Sequence, residues 1–170
     1  MVTSAVAQES AESVAWAALR AVNDPEIPVL SVVDLGLIRH VHCAGSGSVE
    51  VGLAPTYSGC PATAVIRLAV VTALRAAGFA QATVTEVLSP PWSSEWLSPE
   101  GRLKLQRYGI APPEHPVGSP RALWMDGVGV HCPRCDSQDT EELSRFGSTP
   151  CKALHRCKAC LEPFEYFKCI

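Results

Sequence analysis

From Ser10 to Val22 the small and apolar residues Val14, Ala17, Ala18, Ala21 and Val22 recur at the spacing of one helix face, and Asn23-Asp24-Pro25 ends the run. The two prolines of Asp24-Pro25-Glu26-Ile27-Pro28 remove backbone donors and push the residues before them to extended geometry, so a loop follows. Leu35 to His42 predicts a strand, Ala44-Gly45-Ser46-Gly47-Ser48 a loose hairpin turn, and Val49, Val51 and Leu53 the inward face of the returning strand. Beyond Pro55, Ala62, Val65, Ile66, Ala69, Val70, Ala73 and Ala77 share one face of the clearest helix, which Pro61 opens and Gly78 closes. Thr83 to Leu88 predicts a third strand, ended by Pro90-Pro91-Trp92. Ser98 as a cap and Pro99 at the first position start a further helix that stops near Gly109. The order helix, strand, strand, helix, strand, helix predicts an α+β domain, a small three-stranded sheet with helices packed on it.

Prolines at 112, 113, 116 and 120 then break every periodicity. They divide the chain into an α+β domain over residues 1–110, a linker over 111–126 and a C-terminal all-β region over 127–170. That last region is organised by Cys132-Pro133-Arg134-Cys135 and Cys157-Lys158-Ala159-Cys160. Each C-x-x-C sets two thiolates on one tight turn, and two facing turns supply the four soft donors of a tetrahedral metal site. A segment of this size buries little core, so a bound metal would contribute the folding free energy that packing cannot. A zinc-ribbon-like fold with zinc on Cys132, Cys135, Cys157 and Cys160 is expected; the same ligands also suit one iron or an iron-sulfur cluster.

Composition narrows the function classes. The chain has 170 residues, 47% hydrophobic, with a formal net charge of -3, which suits one globular domain and a small appendage. Met1 to Ser10 has neither a basic lead nor a long apolar run, so no secretory signal is expected. Ala62 to Leu74, the most apolar stretch, is broken by Arg67 and falls far short of the ~20 residues that span a membrane. Eight cysteines in such a chain point to a reducing cytoplasm, where thiols serve metals and chemistry more than disulfides. Between His131 and Ile170 six basic residues are balanced by six acidic ones, so the ribbon has no basic stripe for nucleic acid. No phosphate loop, G-x-G-x-x-G, G-x-S-x-G or H-E-x-x-H is present, and a self-contained catalyst is not indicated.

Among single residues Cys60 stands apart, because the mouth of a helix presents unpaired N–H groups and the positive end of the dipole, both of which favour thiolate over thiol. It could bind a soft metal, hold a cluster fragment or act as a nucleophile, or it could be a buried cysteine with no chemistry. Asp34 sits near it if the loop after Ile27 packs on the helix start, and otherwise reads as a turn or cap aspartate. His40 and His42 read as solvated strand residues. His131 and His155 flank the knuckles, where four cysteines already complete a tetrahedron, and Cys151 and Cys169 are spare thiols. Trp92 and Trp96 read as cover for the sheet, and Arg102, Lys104 and Arg107 as the wet face of a helix.

Asp24-Pro25-Glu26-Ile27-Pro28, Asp34-Leu35-Gly36-Leu37, Thr56 to Cys60-Pro61 and Pro90-Pro91-Trp92 together resemble the successive motifs of the iron-sulfur assembly carrier family. The tail, with Phe146-Gly147-Ser148-Thr149, Cys151-Lys152-Ala153 and Glu162-Pro163-Phe164, resembles the D-subunit family of bacterial phenylacetyl-CoA epoxidase systems. The two resemblances imply a non-catalytic accessory protein of phenylacetate breakdown that helps deliver iron or a cluster to the epoxidase oxygenase or reductase subunits. A structural adaptor or an iron-sulfur electron carrier are the alternatives, and a homo-oligomer is compatible with either. The resemblance implies Cys60 as the functional position, with Asp34 nearby in motif terms, and Cys132, Cys135, Cys157 and Cys160 as ribbon ligands.

Overall fold

The computed structural model describes residues 2–44, 47–57, 59–113 and 130–168, with side chains from Ala11 onward. The tip of the first hairpin, most of the proline cluster and Cys169 lie outside the described residues. The chain forms two compact units, Met1–Trp92 and Ser93–Ile170.

In the first unit α1 (Val2–Arg20) packs on β1 (Ile38–Ala44) and against α2 (Ala62–Ala76). Its buried side chains among the described residues are Ala15 and Leu19, and of the expected stripe Val22 is buried just beyond the helix while Val14 is 45% exposed, so the inward face is rotated from Val14, Ala17, Ala18 and Ala21. Leu19 favours this face, because a buried leucine removes more apolar surface from water than an alanine does. After α1 the Asp24 carboxylate accepts the N–H groups of Glu26 (2.8 Å) and Ile27 (2.9 Å), an Asx turn that lets Ile27 and Leu30 enter the core despite the flanking prolines.

β1 pairs antiparallel with β2 (Ser48–Leu53), and β2 pairs parallel with β3 (Gln81–Glu86), in the order β1-β2-β3. Val49, Val51 and Leu53 are buried as the alternation predicts. A parallel pair needs a crossover, and α2 supplies it, packing on β3 through Ala62, Ile66, Val70 and Leu74. Val65, expected on that face, points outward at 55% exposure. Trp92 closes the unit as a buried residue whose indole N–H donates to the Leu35 carbonyl (2.9 Å).

In the second unit Ser98 caps α3 (Pro99–Tyr108) by accepting the Gly101 N–H (2.9 Å), and Gly109 ends it with a left-handed φ of 93°. Arg102 is not simply a wet residue: its guanidinium donates to the carbonyls of Ser94 (3.0 Å) and Pro113. The chain then forms β4 (Ile110–Ala111), the edge of a four-stranded sheet of order β4-β7-β6-β5, with β5 Thr140–Ser144, β6 Lys152–Cys157 and β7 Pro163–Phe167. Parallel pairing of β4 with β7 therefore puts α3 and β4 in the ribbon's unit, although the proline cluster suggests a division after residue 110. Pairing across a long sequence separation outweighs the local breaker signal.

Candidate metal centre and the Cys60 cavity

The two cysteine knuckles are built alike. In the first, the Cys132 N–H donates to the Ser137 carbonyl (3.0 Å); in the second, the Cys157 N–H donates to the Glu162 carbonyl (3.0 Å). In both, the residue after the second cysteine is left-handed, Asp136 at φ 61° and Leu161 at φ 65°. The turns bring the four Sγ atoms of Cys132, Cys135, Cys157 and Cys160 within 4.8 Å of one another, with Cys132–Cys160 at 3.7 Å and Cys135–Cys157 at 3.5 Å. A tetrahedral zinc at ~2.3 Å from each sulfur asks for sulfur separations of ~3.8 Å, so the donor set fits such an ion. Cys132 and Cys157 are buried in a small core with Ala111 and Phe164, while Cys135 is exposed.

Four thiols this close share their protons unequally. The Cys160 N–H, donating to the Cys157 Sγ (3.4 Å), leads the groups that bring the Cys157 thiol down to about 6, against the opposing effect of burial. At Cys135 the Ser137 N–H favours the anion, but hydrogen bonding with Cys157, burial and the other thiols outweigh it and push that thiol up to about 12. A dication placed among the four sulfurs is the group that would let all of them ionise together.

The neighbouring candidates are placed otherwise. His131 is engaged through Nδ1 with Asp136 (3.1 Å) and through Nε2 with Gln138 (2.7 Å). His155 is buried, stacked on Phe164 and edge-on to Tyr166 at centroid distances of 5.8 and 5.5 Å, and it is not one of the converging ligands. Cys151 is also buried, its Sγ 3.0 Å from the Thr149 hydroxyl. Lys152, only 3% exposed, pairs with Glu165 at 2.8 Å.

Cys60 is half-buried one residue before Pro61, the cap of α2. It opens onto a cavity of about 400 Å³ lined by Gly59, Cys60, Thr63, Ala64, Arg67 and Glu86. Thr63, Ala64 and Arg67 follow Cys60 at three, four and seven residues, so the cavity runs along one side of the helix, and Arg67 bridges to Glu86 of β3 at 3.4 Å. Gly59, at φ 83°, provides the sharp turn into the helix. Asp34 is not among the lining residues. It is 8% exposed, and its Oδ2 accepts both the N–H (2.9 Å) and the hydroxyl (2.8 Å) of Ser31, whose Oγ accepts the Asp34 N–H (3.0 Å) in return. That reciprocal pair has the chemistry of a capping box and fixes the turn leading into β1.

Sequence reasoning passed over Arg67 and Glu86. Helical spacing from Cys60 could have marked Arg67, but the β2–β3 pairing that brings Glu86 to it is a long-range event. It also passed over Asp136 and Leu161. Aspartate tolerates the left-handed region, a usable signal, whereas Leu161 carries none.

Comparison with known proteins follows this division. Residues 12–88 match a family described as iron-sulfur cluster assembly protein, and residues 118–168 match the PaaD zinc beta ribbon domain. A protein of Escherichia coli (strain K12), provisionally named as the D subunit of 1,2-phenylacetyl-CoA epoxidase, is 47% identical over 155 residues, covering 91% of each chain. The chain belongs to the PaaD family of epoxidase D subunits. It is also similar in structure to a domain of unknown function, DUF59, from Bacillus anthracis. That match has a TM-score of 0.56 at 31% identity and covers 59% of this chain and 96% of that one. The α+β unit of this PaaD-family chain thus shares its fold with that domain and is joined here to a ribbon with a four-cysteine metal-binding site. None of the helices formed by the described residues is long and apolar enough to cross a membrane.

Proposed function

We propose that this chain is a non-catalytic accessory protein of aerobic phenylacetate breakdown that helps mature phenylacetyl-CoA epoxidase. In this reading it passes iron or an iron-sulfur cluster, its substrate, through Cys60 to the oxygenase or reductase component in the cytoplasm. The ribbon holds a structural zinc on Cys132, Cys135, Cys157 and Cys160. The observation that carries the reading is the pairing of two unlike sulfur sites in one chain. Four clustered thiols leave a bound metal no open position, whereas Cys60 is a single thiol beside a cavity that leaves other ligand positions for an acceptor. Membership of the PaaD family and the match of residues 12–88 to iron-sulfur assembly proteins support the choice of client and cargo. Asp34 stands with Cys60 as a candidate for the transfer site, and its hydrogen bonds with Ser31 hold the turn that carries it.

The test is the state of the client. In cells lacking this chain, growth on phenylacetate should fail and the purified oxygenase or reductase should be short of iron or sulfide. Cys60→Ser should reproduce that defect while folding normally, an outcome a purely structural adaptor would not give. Fully metallated client should then turn over without the accessory protein. A stoichiometric requirement for it in every turnover would instead establish the adaptor or electron-carrier role.

A further inference from the structure

The β1–β2 hairpin carries a pair of imidazoles that neither the ribbon nor Cys60 involves. His40 and His42 lie on the face of the sheet turned away from Val41, Val49 and Val51, and their rings stack with centroids 5.0 Å apart and an interplanar angle of 24°. Across the hairpin His40 faces Gly52 and His42 faces Glu50. The His40 ring lies directly over Gly52: a Cβ built there would fall 2.2 Å from His40 Cε1. Glycine inside a strand gives up backbone stability and marks a place where another group must approach closely. Here the approaching group is an imidazole, seated over Gly52 beside a second, exposed imidazole.

We propose that His40 and His42 form a second metal site, an exchangeable one for a borderline divalent cation of the zinc or ferrous-iron kind. Imidazole nitrogen is a good donor to such ions. Two side chains at i and i+2 project from the same face of a strand, and the χ2 torsion of histidine is broad, so an ion would draw both rings out of their stack to bring one nitrogen of each onto it. Glu50, opposite His42, adds a negative charge next to the cation and accepts the Thr85 hydroxyl at 3.4 Å. Among the described residues, the one group of three or more ligating side chains that converges is the four-cysteine set, so only two protein nitrogens hold the ion on the hairpin. Water or an incoming ligand completes its shell. This site is open where the ribbon's is closed, and it does not depend on the role proposed for Cys60.

Zinc titrated into the reduced full-length chain against a chromophoric chelator should reveal two ions, one tight and one readily withdrawn. His42→Ala, at an exposed position, should weaken the labile ion by more than the ~10-fold typical of outer-shell changes and leave the tight ion in place. His40→Gln should do the same, and Cys60→Ser should change neither ion. In histidine-detected NMR the His40 and His42 ring signals should move with the second equivalent of zinc, and those of His131 and His155 should not. A wild-type chain that saturates at one ion would overturn the site. So would a labile ion that survives both histidine variants, or one that disappears in Cys60→Ser.

Discussion

Glu165 shows how one side chain can tie a small unit together. Its carboxylate meets the almost fully buried Lys152 ammonium at 2.8 Å and accepts the Ser148 N–H at 2.7 Å. Partial burial works against the Glu165 anion, but these hydrogen bonds and the Lys152 charge outweigh it, and the carboxyl is held below its ordinary value of 4.5. A depressed acid contributes stability above its unfolded value, and that contribution is lost as pH falls through the folded value. Glu165→Gln should therefore destabilise the second unit near neutral pH by about 3 kcal/mol, because the variant leaves the Lys152 charge buried without its partner. The gap between wild type and variant should shrink as pH falls from about 6 to about 3, which chemical denaturation at a series of pH values would measure. A gap independent of pH would mean that the pair acts through packing alone.

At the level of elements, the knuckles and α2 show where short-range pattern and local strain part. Both knuckles require a left-handed residue after the second cysteine, filled by Asp136 in one and Leu161 in the other. An L side chain there costs roughly 1–2 kcal/mol, least for Asp or Asn, and Asp136 is also engaged with His131. Leu161 has no such compensation and is 70% exposed, so its side chain contributes little packing. Leu161→Gly should accordingly stabilise the ribbon by up to about 1 kcal/mol, and Asp136→Gly should not, as melting of the metal-loaded protein would show. If both glycines destabilise equally, the turn is not strained at Leu161. In α2 the buried line is Ala62, Ile66, Val70 and Leu74, four residues apart each time. The sequence pattern included Val65 and further alanines and left out Leu74, because alanines and Val65 fit several helix faces equally well.

For the whole molecule, the two units differ in what holds them. The first has a core of large aliphatic side chains, including Leu19, Leu30, Val32, Val51 and Leu74 at 0% exposure. In the second, the cluster around Ala111, Cys132, Cys157 and Phe164 draws two of its four buried members from the ligand set itself. Removing metal from the reduced protein with a strong chelator should unfold the ribbon, while the amide spectrum of the first unit stays dispersed. Cys157→Ser should have the same selective effect and abolish the tight metal. Retention of a folded ribbon in the stripped protein would show that its packing suffices without the ion.

Much of this protein was legible in its sequence, because it is encoded by neighbours. The α+β element order, the alternation of Val49, Val51 and Leu53, the Ser98 cap and the two C-x-x-C knuckles all rest on short-range chemistry, and each is present as a local structure. The resemblance of its motifs to two families followed from residues close together along the chain. Other features depended on which segments meet. The parallel pairing of β2 with β3 puts Glu86 beside Arg67 in the Cys60 cavity, and the pairing of β4 with β7 assigns α3 to the ribbon's unit. Cross-strand register lays His40 on Gly52, and reciprocal hydrogen bonds join Asp34 to Ser31. Periodicity specifies that a face will be buried, but the partner that buries it is chosen by contacts between residues far apart in the chain, and only the tertiary structure decides those.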